Sequence, residues 1–299
     1  MNAHALLTKD ATTLLLPAAF LALALGTLAT QLAPTLPTLF PATGLAAPAS
    51  ITLPPGTLTY RPEGHYLRNQ VPVDGPVETV TFAQPLEIMT YQVSAADYAR
   101  CVADGACEAA LNPAQGAGDV PVTGVNFGDA TAYAAWLSAR TGQVWTLPTA
   151  AEWAYAAAER HTDDALGLGS DDTNPALRWI ANYRQEAARN RTPDPAPHPL
   201  GSFGANSNGI MDMAGNVWEW TDTCHRRLHI DAAGTILSEQ PACTIRVLEG
   251  KHRAATSFFI RDAKSGGCSV GIPPDNLGFR LIRRPAWHEQ LIARFFPAA

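Results

Sequence analysis

The sequence predicts one loop-rich α+β domain. Three observations lead there. Short alternating runs such as Val77-Glu78-Thr79-Val80-Thr81-Phe82 read as strands. Capped segments with apolar residues at helical spacing, such as 95–103, read as short helices. The 23 glycines and 24 prolines among 299 residues break the chain too often for a bundle of long helices. No extended linker divides the chain after residue 49, so residues 50–299 are taken as one domain and 1–49 as a leader with its linker.

The leader reading rests on Thr12–Thr30, almost wholly apolar, with Ala46-Ala47-Pro48-Ala49 downstream. An apolar core followed by small residues is a secretory signal. The same stretch is just long enough for an uncleaved anchor, the one route by which this chain would hold to a membrane. Either way the expected location is periplasmic or otherwise exported. A net charge of −6 without a Lys/Arg cluster excludes a nucleic-acid surface. Five cysteines fit an oxidising compartment. Cys101 with Cys107 is the first expected pair and Cys224 with Cys243 the second, leaving Cys268; spacing alone does not fix connectivity.

Residues 51–85 read as strands and turns, and Glu87–Val93 as a further strand. Ser94 is the expected N-cap of a helix over Ala95–Ala103, where Ala95, Tyr98, Ala99 and Val102 share a face. Pro121–Phe127 looks like a strand entering a second helix over Ala130–Arg140, with Asp129 in its first turn or at its cap and Gly142 as its left-handed stop. Thr149 and Glu152 form a capping box for a third helix, which gives Glu152 a structural role. Residues 178–203 read as loop.

The packing centre is expected at Gly215-Asn216-Val217-Trp218-Glu219-Trp220-Thr221. As a strand, it puts Trp218 and Trp220 on one face and Val217 and Glu219 on the other. Each buried ring removes roughly 150–250 Å² from water. Glu219 then lies near Asp212 and the carbonyls of the Met213-Ala214-Gly215 turn, a hard-oxygen set of the kind calcium takes. A structural calcium site is therefore expected from Asp212, the Gly215 and Val217 carbonyls, and Glu219. His225 and His229 are at the i, i+4 spacing of a helical metal pair, but arginines flank them and they read as surface residues.

The tryptophan block, together with Leu147-Pro148-Thr149-Ala150-Ala151-Glu152-Trp153 upstream and Asn276-Leu277-Gly278-Phe279-Arg280 downstream, resembles the formylglycine-generating (sulfatase-modifying factor) family over Glu87–Arg283. The resemblance implies a mixed fold related to C-type lectins. Two departures are visible: Thr146 and Ala150 stand where the family usually has Arg and Glu around Leu-Pro-Thr. By the resemblance, Asn182 and the Tyr183 carbonyl match a calcium pair, with Asp194 as a later acid. By the same alignment the family's two copper-binding cysteines, which lie just before Arg261, fall on His252 and Ser257. Two soft thiolates suit Cu(I); an imidazole and a hydroxyl do not replace them. Formylglycine generation is therefore not the expected activity, and whether any redox metal binds is left open.

The segment from Glu249 to Arg280 is similar to the exported, PvdO-like branch of that family, which acts in maturation of the pyoverdine siderophore. That implies an oxidoreductase working on a catechol-bearing peptide or small-molecule siderophore precursor. The alternative is a non-catalytic binding domain on the same fold. An oxidation of this kind needs a base, and the candidates are His252, Glu249 and Asp262, with Arg261 beside them. His252 has a suitable ordinary pKa, whereas Glu249 would need burial to raise its own. Each also has a structural reading: Glu249 paired with Lys251, Asp262 with Arg261 or Lys264, and His252 as a solvated loop residue. Arg280 is read as structural.

Overall fold

The computed structural model describes residues 44–111, 118–167, 177, 180–181, 183–184, 196–262 and 276–285. Strands β1 (Ser50–Leu53), β2 (Gly56–Tyr60), β3 (His65–Arg68), β4 (Val71–Pro72), β5 (Glu78–Phe82) and β6 (Leu86–Met89) come first. Helix α1 (Ala95–Ala103), helix α2 (Phe127–Thr141), strand β7 (Val144–Thr146) and helix α3 (Ala150–Ala157) follow. The second half is β-rich: β8 (Trp218–Ile230), β9 (Ile236–Glu249), β10 (Ala254–Ser257), β11 (Leu277–Gly278) and β12 (Ile282–Arg284). This is the mixed α+β class that the sequence predicts.

The caps decide the helix boundaries. Ser94 accepts from the Asp97 amide and starts α1 at the expected residue. Helix α2 begins three residues before the expected start. Its N-cap is Asn126, and Asp129 returns the hydrogen bond from the third helical position, so Asp129 is the partner in a capping box and not the cap itself. Gly142 ends α2 at φ 72°, the left-handed stop that was expected. Thr149 and Glu152 complete the box on α3. Glu152 also pairs with Arg284, tying α3 to β12. Pro121–Phe127 is not a strand; it contributes only an isolated bridge between Pro121 and Ser94. The expected strand over 87–93 is confined to β6, because from Thr90 the chain turns toward α1.

Three sheets organise the described residues. The first has the order β1-β6-β12-β7, the second β10-β9-β8-β3-β4 with β11 on β8, and the third is the β2-β5 pair. Strand β8 is the long axis of the second sheet. Its start pairs in parallel with β11, Leu277 facing Trp218, and its end pairs in parallel with β3, His65 facing Arg227. Both expected disulfides are present, Cys101–Cys107 and Cys224–Cys243. Cys268 lies outside the described residues.

Two main apolar cores result. One gathers Trp218 and Trp220 with Tyr98, Tyr133, Trp136, Trp145 and Phe279. The other surrounds Trp153 with Ile88, Ile210, Met213 and Ile282. Both tryptophans of the central block therefore face one core, as period two requires. Val217 and Glu219 face away from it and are also fully buried.

Candidate functional site

Glu219 does not have the surroundings expected of a calcium ligand. Its carboxylate accepts from Arg280 Nε at 2.7 Å and Arg280 Nη2 at 2.8 Å, Gln92 Nε2 at 2.9 Å and Trp153 Nε1 at 2.9 Å. Four donors fill the four lone-pair directions of a carboxylate. The charge is met by a guanidinium that is itself fully buried. Asp212 is engaged too, accepting from the Gly201 and Phe203 amides. The Gly215 carbonyl accepts from Gln92 and from the Val217 amide. Both oxygens of Glu219 are thus already engaged in a buried ion pair, and Asp212 staples the adjoining turn. The turn is tight: Asp212, Ala214 and Asn216 all have positive φ, near 60°. Tyr183 is largely exposed, while Asn182 and Asp194 lie outside the described residues.

A different cluster forms where β9 ends. Glu249 is the last residue of β9, and its side chain is only 3% exposed. Arg253 Nε donates to it at 2.8 Å, four residues on, across the bend that links β9 to β10. Arg253 is therefore an ion-pair partner of Glu249. Arg253 Nη1 donates to the Arg61 carbonyl at 3.1 Å, and Nη2 lies 3.5 Å from His161 Nε2. Asp164 stands 4.0 Å from Arg253 Nε. Tyr60 packs its ring edge-on to His161 at 6.1 Å. Buried Glu63 is 3.2 Å from Arg226. Three separate segments, 60–63, 161–164 and 249–253, thus bring three carboxylates, an arginine, an imidazole and a phenol together.

Burial sets the protonation here. It pushes the Glu249 carboxyl up to about 7; Arg253 opposes the rise, and Asp164 and Glu63 add to it. Burial and the neighbouring Arg253 charge push His161 down to about 4, so its imidazole is neutral at physiological pH. Tyr60 is pushed up to about 12 by burial and by Glu63. Burial also opposes the charge on Arg253, but Glu249 and Asp164 outweigh it and hold the guanidinium protonated.

His252 adjoins this cluster. It is half-buried with its ring 5.3 Å from that of Trp218, not solvated on a free loop. Its Nδ1 lies 2.9 Å from the Arg253 carbonyl. A carbonyl can only accept, so Nδ1 carries the proton and Nε2 is the basic nitrogen of the neutral ring. Trp218 anchors the whole bend. Its indole N–H donates to the His252 carbonyl at 2.9 Å, Lys251 Nζ sits 5.3 Å from its ring centre, and Gly250 lies flat against it.

Arg261 belongs elsewhere. Its Nη2 donates to Asp129 at 2.7 Å and Glu108 at 2.9 Å, locking the start of α2 to the loop after the Cys101–Cys107 bridge. Those hydrogen bonds, Asp129 first, raise its pKa. Glu249 and His252 therefore sit on the same bend after β9, and Arg261 is committed to a helix terminus. Asp262 follows it half-buried, and Lys264, its other expected partner, lies outside the described residues. Arg253, His161, Tyr60 and Glu63 are residues that sequence reasoning missed. Only Arg253 left a signal, its i, i+4 spacing from Glu249; the others come from distant segments.

The residues at the two aligned copper positions do not fit that metal. His252 turns Nδ1 to a carbonyl, and Ser257 ends β10 as a hydroxyl, so neither offers the soft sulfur that Cu(I) prefers.

Comparison with known proteins agrees with this fold. Residues 36–285 match the sulfatase-modifying factor enzyme 1-like domain. A formylglycine-generating enzyme of Mycobacterium tuberculosis is 32% identical over 183 residues, covering 55% of this chain and 58% of that protein. A hercynine oxygenase of Mycolicibacterium smegmatis is 39% identical over 114 residues, 36% of this chain and 22% of that one. The chain thus spans little more than half the length of the first relative. Among solved structures, PvdO from Pseudomonas aeruginosa superposes with a TM-score of 0.48 at 24% identity, covering 80% of this chain and 95% of that one. With the domain match extending over most of its length, the chain belongs to the sulfatase-modifying factor enzyme 1-like family.

Proposed function

We propose that this chain is an exported oxidoreductase of the family that oxidises a catechol-bearing siderophore precursor of the pyoverdine type, with Glu249 as its base. The observation that carries the reading is the buried Glu249 carboxyl, raised to about 7 and held by Arg253. A base is most effective when its pKa lies near the working pH. Perturbed carboxylates of this kind concentrate at functional sites. The apolar leader supports export, and the resemblance of the Glu249–Arg280 segment supports the substrate class.

The chemistry balances without a resident redox group. A dihydro-form precursor loses two electrons and two protons to become the aromatic chromophore, and dioxygen takes both to become hydrogen peroxide. Deprotonation makes a catechol system a better electron donor, so the protein's contribution is proton removal in a fixed pose. Glu249 accepts one proton, and His252 Nε2, three residues on, accepts the other. Arg253 keeps Glu249 from drifting to a still higher pKa and carries compensating positive charge. The neutral His161 imidazole borders the pair and accepts from Arg253 without adding charge.

The test is an absorbance time course in aerated buffer with a dihydro-form catechol precursor, run against a no-protein control. Faster appearance of the oxidised chromophore, lost in Glu249→Gln and reduced in His252→Ala, supports the reading. No acceleration by the folded protein sinks it. Saturable binding without turnover favours the alternative, a recognition domain, which the loss of the family's two cysteines also favours.

A further inference from the structure

The two disulfides differ in setting. Cys101 is fully buried and Cys107 nearly so. Cys243 is exposed and Cys224 half-buried. The second bridge also lies at the least regular point of the sheet. Between the pairs Trp220–Leu248 and Cys224–Arg246, residues 221–223 of β8 oppose Val247 alone. Immediately after, Cys224 faces Arg246 but His225 faces Ala242, so residues 243–245 of β9 oppose nothing on β8. Two extra residues on one strand are followed by three on the other, and the net offset is one residue.

A one-residue offset has a specific consequence, because it exchanges the two faces of a strand. The bulge is what presents Val247, Leu248 and Glu249 correctly to the interior. It is held from one side by β10, where Ile245 faces Ser257 and the Thr244 carbonyl accepts from Phe258. From the other side it is held by the bond from Cys224 to Cys243. The charges around that bond are largely paired: Arg226 meets Glu63 and Glu239, and Arg246, the cross-strand neighbour of Cys224, meets Asp222.

We infer that Cys224–Cys243 is a thiol–disulfide exchange site, opened in the folded chain by a dithiol reductant, and that opening it frees the register of Glu249. In the exchange, a reductant thiolate attacks the exposed Cys243 sulfur. The S–S bond breaks and Cys224 leaves as a thiolate that takes up a proton. The reductant's second thiol then attacks the mixed disulfide and releases Cys243. Two electrons and two protons pass from the dithiol to the chain, and the dithiol ends as a disulfide. Cys101–Cys107 stays closed because its sulfurs are out of reach. The inference stands on strand geometry and does not depend on the catalytic reading.

The experiment uses the folded full chain with Cys268 alkylated beforehand. Dithiothreitol is added in a concentration series, the reaction is quenched with acid, and new thiols are labelled and located by peptide mass spectrometry. Cys224 and Cys243 should be labelled at dithiol concentrations about tenfold or more below those that open Cys101–Cys107, a separation of about 30 mV or more. In the selectively reduced protein, amide exchange over 243–249 should accelerate while exchange over 95–103 stays unchanged. The double variant Cys224→Ser, Cys243→Ser should show the same exchange pattern without reductant. Simultaneous opening of both disulfides overturns the inference, as does unchanged exchange at 243–249 after Cys224–Cys243 has opened.

Discussion

Replacing Glu249 by Gln should change how stability depends on pH, and the structure sets both sign and size. Folding raises the carboxyl from an ordinary 4.5 to about 7, mainly by burial. Below pH 4.5 the folded and unfolded chains both hold this proton. Between 4.5 and 7 only the folded chain holds it, so stability declines as pH rises through that window and levels off above it. At about 1.4 kcal/mol for each tenfold change in proton affinity, the whole decline is about 3 kcal/mol. Gln cannot titrate, yet its amide oxygen can still accept from Arg253. The assay is urea unfolding of both proteins at pH 4.5, 6 and 8. Other titrating groups contribute alike to both and cancel in the difference. The wild type should lose about 3 kcal/mol relative to the variant between the lowest and highest pH. A difference that stays constant across the series would refute the assignment of a raised, buried carboxyl.

Arg280→Met should destabilise the fold by about 3–5 kcal/mol in urea unfolding, because Glu219 would keep its buried charge and lose its counter-ion. Gly250→Ala places a Cβ 2.8 Å from the Trp218 ring and should cost about 1–3 kcal/mol, read as a fall in Tm with both tryptophan rings still buried. Because Glu219 is saturated by Arg280, Gln92 and Trp153, the Glu219→Gln variant should respond to EGTA with the same Tm shift as the wild type. A smaller shift in the variant would restore Glu219 as a calcium ligand.

What the sequence disclosed was whatever short-range chemistry controls. Ser94, Gly142 and the Thr149–Glu152 box are local devices, and each is found where its residue type required it. The two tryptophans share a core because alternation along one strand needs no knowledge of the rest. The surroundings of Glu219 were hidden because its partners, Gln92, Trp153 and Arg280, lie 61 to 127 residues away in sequence. An acid beside a turn looks like a cation ligand until the arginine that neutralises it is placed. The same reason hid half of the candidate site. Glu249 and His252 were visible as a segment with its own character, whereas His161, Tyr60 and Glu63 come from segments far away in sequence. Arg261 stood out through its neighbours in sequence, and its partner Asp129 shows that the prominence came from anchoring a helix.

The strand order of the first sheet fixes when the protein can finish folding. β12 lies between β6 and β7, with Ile282 facing Ile88 on one side and Thr146 on the other. Until residue 282 has been synthesised, β6 and β7 face each other across an empty slot and cannot close it by themselves. Arg280, two residues earlier, is also the cation that Glu219 awaits. A nascent chain emerging N-terminus first therefore carries an open sheet until residue 282 and, from residue 219 to residue 280, an unneutralised interior acid. Such distant pairings make folding slow and all-or-none, with the decisive contacts arriving last. Any machinery that moves or guards the unfolded chain has that whole interval in which to act.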